Sequence, residues 1–120
     1  MPLDAGEISE PEPDVAIIKG DVRDFKHNHP RTALLIVEVA ETSLIFDRSE
    51  KASLYARLGI PDYWILNLKD GHLEVRRSPE ADLHSPELSK YREVQRFDPE
   101  TRVEPLHAEG VMISVADLLP

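Results

Sequence analysis

Two continuous apolar runs of strand length are the clearest pattern in this chain of 120 residues. The first is ALLIVEVA, residues 33–40, and the second is DYWILNL, residues 62–68. Both are rich in β-branched or aromatic side chains, and runs without strict alternation are typical of interior strands that are covered on both faces. The pattern therefore predicts two buried strands within a sheet.

A helix is predicted between these strands, over about residues 47–58. Apolar residues recur there at helical spacing up to Leu58, and Gly59 is the residue type on which helices commonly end. Asp47 is predicted to be the N-cap, because Glu50 follows three residues later at the spacing of a capping box.

Shorter segments complete the predicted fold. DVAIIKG, residues 14–20, predicts a strand ahead of the first apolar run. The Asp-Gly pair at 70–71 favours a hairpin into HLEVRRS, residues 72–78, because Asp-Gly accepts positive φ. YREVQRF (91–97) alternates as a further strand, and VMISVADLLP (111–120) predicts a last strand and a helical turn. A strand–helix–strand order favours a parallel pair, so we expect an α/β fold with an open, mixed sheet.

The chain is expected to form a single domain, since its length does not support two. Residues 1–13 are acidic and proline-rich, which predicts an extended or disordered lead-in. Residues 14–120 are predicted to form the folded domain.

Composition favours a cytoplasmic protein. There is no cysteine, hence no disulfide framework and no cysteine-based zinc site, and this suits a reducing compartment. No apolar run approaches the roughly 20 residues of a membrane span, and the N-terminus is unlike a signal peptide. We therefore expect a soluble protein with no membrane partner.

The formal net charge of −9 argues against strong non-specific attraction to phosphate backbones. It counts against a protein that simply coats DNA. It is compatible with a metal-dependent enzyme, because carboxylates that bind cations themselves add negative charge.

Glu38 is the residue that the apolar pattern leaves unexplained, because a lone buried carboxylate is costly unless it is paired, protonated or bound to a metal. Alternation along the strand places it on the same face as Ile36 and Ala40, near the C-terminal strand end where open α/β sheets usually carry their sites. Its position leaves two interpretations open: a site carboxylate, or a carboxylate paired with an arginine or lysine.

Four other residues could act together with Glu38. Asp14 alone is most simply a strand-start residue, but together with Glu38 it could hold one or two Mg²⁺ or Mn²⁺ ions through oxygen ligands. Lys51 lies one turn into the predicted helix, and with Asp47 four residues earlier it could form an ordinary ion pair. Tyr55 extends the same stripe, where a core role is the commoner one.

The order of these segments resembles a known family. PDVAII, LIVEVA, DRSEKASLYARLGIPDYWILN and LEVRR closely resemble the Uma-two family of restriction-endonuclease-like proteins. Its members carry a Pro-Asp-Val strand, an apolar strand with a glutamate, an Asp-x-x-x-Lys-x-x-x-Tyr helix, a glycine and a Glu-Tyr-Trp strand. The resemblance covers about residues 11–120 and is sharpest over 33–78. It implies a restriction-endonuclease-like core of the PD-(D/E)XK nuclease type.

The resemblance also implies roles for individual residues. Asp14 and Glu38 would bind Mg²⁺ or Mn²⁺, and the catalytic lysine would be Lys51 on the helix, since the position two residues after Glu38 is Ala40. The ammonium would orient the attacking water or stabilise charge on the phosphoryl group. Asp47 would hold Lys51 or merely cap the helix. The expected activity is a Mg²⁺-dependent endonuclease acting on nucleic acid.

Two departures from the family pattern accompany the resemblance. Asp62 stands where the family usually has glutamate, which is a mild change. Relatives also usually carry a helix and a strand pair ahead of the Pro-Asp-Val segment. A missing helix would expose one sheet face, so we expect a homodimer that covers it.

Two further interpretations remain open on the sequence. The chain could be a non-catalytic, nuclease-like domain that serves as an interaction or oligomerisation module, which the charge of −9 favours. It could also be a plain structural α/β domain in which Glu38 is paired. The joint presence of Asp14, Glu38 and Lys51 favours the nuclease.

Overall fold

Five strands form one mixed sheet in the computed structural model, which describes residues 15–18 and 33–120. Their spatial order equals their order in the chain, and the second and third strands are parallel while the other neighbouring pairs are antiparallel. The strands are β1 (Val15–Ile18), β2 (Ala33–Ala40), β3 (Asp62–Asn67), β4 (His72–Glu80) and β5 (Lys90–Phe97). The predicted α/β fold with an open, mixed sheet is confirmed. Asp14 and the predicted lead-in, residues 1–13, lie outside the described residues.

The crossover from β2 to β3 is a continuous helical segment, residues 44–57, which we call α1. It consists of an α-helical turn at Leu44–Phe46, a π-helical stretch at Asp47–Lys51 and an α-helix at Ala52–Arg57. The segment ends next to Gly59, whose φ of 77° suits a residue without a Cβ.

The predicted start of this helix is wrong. Asp47 is not an N-cap, because its N–H already donates to the carbonyl of Ser43 at 2.9 Å inside the helical segment. Its side chain is also directed elsewhere, since one carboxylate oxygen accepts a hydrogen bond from Ser43 Oγ at 3.0 Å. The helix therefore begins at Leu44, where the side chain packs against the buried cluster beneath α1.

The sheet buries apolar side chains on both faces, as the continuous runs predicted. On the face covered by α1, Ile36 and Ile65 pack with Tyr55 of the helix. On the opposite face, Trp64 packs with other residues of β2, β3 and β4 and with the C-terminal segments. Successive residues of β3 thus point into different clusters, which explains why its sequence shows no polar face.

The C-terminal part of the chain covers the second face of the sheet. Two short strands, β6 (Arg102–Val103) and β7 (Ile113–Ser114), pair with each other, and a single helical turn, α2 (Val115–Leu118), follows directly. The last strand and its helical turn were predicted, whereas β6 was not, because two residues are too few to show an alternating pattern. A 3₁₀ turn, Pro86–Leu88, lies in the loop between β4 and β5.

The predicted hairpin between β3 and β4 is confirmed. Gly71 has a φ of 74°, and its N–H donates to the carbonyl of Asn67 at 2.8 Å to close the turn. None of the helices within residues 33–120 is long and apolar enough to cross a membrane.

Asp62, at the start of β3, ties the sheet to the C-terminal segments. Its carboxylate is 1% exposed and accepts hydrogen bonds from Trp64 Nε1 at 2.7 Å and from Arg77 Nε at 2.9 Å. It also accepts one from the backbone N–H of Leu106 at 2.9 Å, while Arg77 donates to the carbonyl of Glu104 at 2.7 Å. Every donor around this buried carboxylate is thus drawn from a different part of the fold.

We predict that Asp62→Ala lowers the free energy of unfolding by about 2–4 kcal/mol, because it leaves the partly buried Arg77 and the indole N–H without their acceptor. Chemical denaturation measures the loss. Asp98→Ala is the control, since Asp98 pairs with Arg96 at 3.3 Å on the surface and its removal should cost less than about 0.5 kcal/mol. Equal losses in the two variants would contradict the assignment.

Candidate active site

Glu38 lies on the helix-covered face of β2, two residues before the end of the strand. Its side chain is 2% exposed, and the neighbours two residues away on the same face, Ile36 and Ala40, belong to the cluster beneath α1. The predicted face of Glu38 is therefore confirmed. Burial this complete requires that the carboxylate has partners or carries a proton.

Two residues of α1 supply the partners of Glu38. Lys51 Nζ lies 3.1 Å from Glu38 Oε1, and the hydroxyl of Tyr55 donates to Glu38 Oε2 at 2.8 Å. Lys51 and Tyr55 are four residues apart and so share one side of the helix. The structure thus brings together Glu38, Lys51 and Tyr55, three of the residues singled out in the sequence.

Asp47 is the fourth member of this cluster. Its side chain is 1% exposed, and its Oδ1 atom lies 3.5 Å from Lys51 Nζ. Oδ1 is buried and has no hydrogen bond within the described part of the chain, since 3.5 Å to the ammonium leaves only a long ionic contact. Two buried carboxylates, those of Glu38 and Asp47, therefore share a single ammonium group.

Tyr63 of β3 fixes the helix above the site, and sequence reasoning did not single it out. Its hydroxyl donates to the backbone carbonyl of Asp47 at 2.8 Å, and its ring meets that of Tyr55 edge-on with 5.0 Å between centroids. Tyr63 pairs with Ile36, which places it on the face of Glu38. Only the strand register reveals this proximity, so the sequence pattern alone carried no sign of it.

The electrostatics of the cluster are unbalanced toward negative charge. Burial raises the pKa of Glu38 above its ordinary value, against the hydrogen bond from Tyr55 and the charge of Lys51, while the nearby Asp47 raises it further. Burial, and then the charge of Glu38, raise the pKa of Tyr55, so its phenol keeps the proton and acts as a donor. The site favours an additional positive charge, whether a proton on Glu38 or a bound cation.

The donor set suits a hard divalent cation. Mg²⁺ and Mn²⁺ prefer carboxylate oxygens, and Glu38 together with the unbonded Oδ1 of Asp47 offers such oxygens beside Lys51. Within residues 33–120, no group of three or more histidine, aspartate or glutamate side chains is arranged to hold a metal.

Asp14, the other predicted metal ligand, lies outside the described residues. The residue after it in the chain, Val15, pairs with Val37, the residue before Glu38. Whether Asp14 converges with Glu38 and Lys51 stays a prediction.

The fold and this cluster define a class of protein: an α/β domain with a mixed sheet, compatible with a restriction-endonuclease-like core, and a buried glutamate–lysine pair at a strand end. The family model Uma2, described as "Putative restriction endonuclease", matches residues 1–116. The chain therefore belongs to this family, the Uma-two family that its motifs resemble. No curated protein and no solved structure matches it.

We predict that Tyr55→Phe raises the pKa of Glu38 further, because it removes a hydrogen bond that favours the carboxylate. Since the folded-state pKa of Glu38 already lies above the ordinary value, its contribution to stability is greatest at low pH and declines as the pH rises through that pKa. The variant should extend this decline to higher pH and lose about 1–2 kcal/mol at neutral pH.

Tyr91→Phe is the matched control, because the hydroxyl of Tyr91 also donates a buried hydrogen bond, to the carbonyl of Ile60 at 2.6 Å, away from Glu38. ¹³C NMR titration of the glutamate carboxyls measures the effect, with Glu38→Gln used to assign the resonance. A similar shift of the Glu38 titration in both tyrosine variants would contradict the role given to Tyr55.

Proposed function

We propose that this protein is a metal-dependent nuclease that hydrolyses phosphodiester bonds of nucleic acid. The observation that carries the proposal is the 3.1 Å contact between Lys51 Nζ and Glu38 Oε1 at the C-terminal strand end, in a member of a family described as restriction endonucleases. A buried acid beside a helix-borne lysine is the arrangement that the family pattern requires where the usual in-strand lysine is replaced by Ala40.

Each residue of the cluster would have its own role in metal binding or hydrolysis. Glu38 and Asp14 would bind Mg²⁺ or Mn²⁺, and Asp47 would support them through its unbonded Oδ1. When bound, the ion would lower the pKa of a coordinated water and offset charge on a phosphoryl oxygen. Lys51, whose side chain is 19% exposed, would orient the attacking water or stabilise the developing charge on the phosphate. Tyr55 and Tyr63 would hold Glu38 and the helix in place.

A second candidate function has a specific observation in its favour. Both oxygens of Glu38 already have protein partners, so the cluster would also serve as a structural ion pair in a non-catalytic domain. The two candidates differ in what a cation does to stability. A metal site is stabilised by Mg²⁺ or Mn²⁺, whereas a complete structural pair is not.

We also propose that nucleic acid is the substrate, that the protein acts in the cytoplasm and that it forms a homodimer. Ile45 and Phe46 at the start of α1 are exposed, at 83% and 46%, and give a second subunit an apolar surface to cover.

We predict that excess Mg²⁺ or Mn²⁺ raises the melting temperature of the wild type by about 3–8 °C relative to EDTA, because the ion binds only the folded state. Glu38→Gln should lose most of this increment. Glu80→Gln is the control, since Glu80 forms an exposed ion pair with Arg92 at 3.4 Å and its variant should respond to metal as the wild type does. A wild type indifferent to metal, with a strongly destabilised Glu38→Gln, would support the structural pair instead.

Cleavage assays test the catalytic role of Lys51. We predict that Lys51→Met lowers the rate of metal-dependent cleavage of labelled DNA or RNA by about 10²–10³-fold, because it removes the positive charge aimed at the reacting phosphate. Lys90→Met is the control, because Lys90 is exposed on β5 and contacts no member of the cluster in the described part of the chain. Equal rates for the two variants would remove Lys51 from the mechanism.

Sedimentation velocity tests the oligomeric state. We predict a dimer at micromolar concentration, and Ile45→Glu should shift it toward monomer because a charge in an apolar interface is costly to bury. A wild type that sediments as a monomer across this range would contradict the dimer.

A further inference from the structure

A second charged cluster lies on the helix-covered face of the sheet, toward β5. It lines a pocket of about 460 Å³ that is open to solvent, and its charged or titratable members come from α1, from β4 and β5 and from the turn between β3 and β4. They are Arg48, Asp70, His72, Glu74, Arg76 and Arg96. The candidate active site does not use any of these side chains.

Glu74 organises the floor of this pocket. Its buried carboxylate accepts hydrogen bonds from Arg48 Nε at 2.9 Å and from Arg76 Nη2 at 3.0 Å, and Arg48 Nη2 contacts it as well. Burial alone would raise the pKa of Glu74, but the hydrogen bonds from Arg48 and Arg76 outweigh it and hold the pKa below its ordinary value. Glu74 is therefore ionised at neutral pH and keeps two guanidinium groups in fixed positions.

The donors of the pocket exceed what Glu74 can accept. Three guanidinium groups face two carboxylates among the lining residues. Arg76 Nε is buried and has no hydrogen-bond partner in the described part of the chain. The side chain of Arg96 is 63% exposed and pairs with Asp98 at 3.3 Å, a surface contact that contributes little and exchanges readily. The pocket thus offers guanidinium donors to an incoming anion.

The strand register places this pocket beside Glu38. Glu38 pairs with Ile65, Ile65 pairs with Glu74, and Glu74 pairs with Arg96, so the four residues form one row across the sheet. Paired residues point to the same face, and two strand spacings put the Cα atoms of Glu38 and Glu74 about 10 Å apart. Arg48 lies next to Asp47 on α1, so the helix contributes to both sites.

We propose that the arginine pocket binds a backbone phosphate of nucleic acid, a few nucleotides from the bond that is cleaved at Glu38. Charges along one strand of duplex DNA recur about every 3.4 Å of helix axis, so a separation of about 10 Å lies within a few nucleotides. Arginine suits this task because its planar fork binds two phosphate oxygens at once. The inference rests on the proposed nuclease function. It adds a local phosphate site to a chain whose net charge of −9 otherwise repels the substrate.

Fluorescence anisotropy with labelled single-stranded and duplex oligonucleotides tests the proposal. The titrations are run in EDTA, so that cleavage does not interfere. Arg96→Gln should weaken binding about three- to tenfold and should lower the slope of log K against log salt by about 1, because one phosphate contact is lost. Arg96 is exposed, so this substitution should leave the fold intact.

Arg92→Gln is the matched control on the same strand. Its side chain is 62% exposed, it pairs with Glu80 at 3.4 Å, and it does not line the pocket. Both variants lose one positive charge, so they differ only in whether the charge lines the pocket. The affinity and salt slope of Arg92→Gln should therefore equal those of the wild type. Equal weakening in Arg92→Gln and Arg96→Gln, or no nucleic-acid binding by the wild type, overturns the proposal.

Two further measurements separate this proposal from the nuclease function and from a free-anion site. Glu38→Gln should abolish cleavage, and Arg96→Gln should weaken oligonucleotide binding in the Glu38→Gln background as it does in the wild type. If cleavage depends on Glu38 while Arg96→Gln binds normally, the nuclease function is supported and the phosphate site in the arginine pocket is refuted.

In the second measurement, inorganic phosphate is titrated while the arginine Nε–H resonances are followed by NMR. A shift at Arg76 with phosphate but not with the oligonucleotide would show a free-anion site and refute the backbone contact.

Discussion

The arrangement of the site depends on the packing of α1 against the face of β2 that carries Glu38. A carboxylate buried to 2% exposure between Ile36 and Ala40 would destabilise the core unless the covering helix supplied both a charge and a hydrogen-bond donor. Lys51 and Tyr55 supply these from successive turns of one helix side. The packing of α1 on β2 that buries the core therefore also determines the charge and the hydrogen bonds around Glu38.

Two buried glutamates in one row of the sheet show how the number of cationic partners decides the state of a carboxylate. Glu38 shares one ammonium with Asp47, and its pKa is raised by burial. Glu74 has two guanidinium groups, and its pKa is lowered although burial alone would raise it. The row thus changes from a surplus of negative charge near β2 to a surplus of positive donors near β5. The proposed phosphate contact lies in the second region, and the proposed metal site lies in the first.

The sequence predicted the features that depend on local pattern. The apolar runs identified β2 and β3, and the Asp-Gly turn identified β4, which forms the hairpin with β3. Alternation placed Glu38 on the correct face. The start of α1 was not predictable in this way, because the capping-box spacing at Asp47 is a local pattern that loses to the contacts of its side chain with Ser43 and Lys51. Tyr63 and the Glu74 cluster depend on strand register, which pairs residues far apart in the chain and leaves no periodic trace.

The π-helical stretch Asp47–Lys51 ties the length of α1 to the rest of the cluster. A π turn accommodates one residue more than an α turn over the same rise, and each residue of a helix advances the side-chain direction by about 100°. If the same residues wound as a regular α-helix, everything downstream would rotate by about 100° relative to everything upstream. Tyr55 would then no longer face Glu38 while Asp47 still met Tyr63. The wide turn therefore keeps Asp47 and Tyr55 facing the sheet although the segment carries one residue more than a regular α-helix would hold.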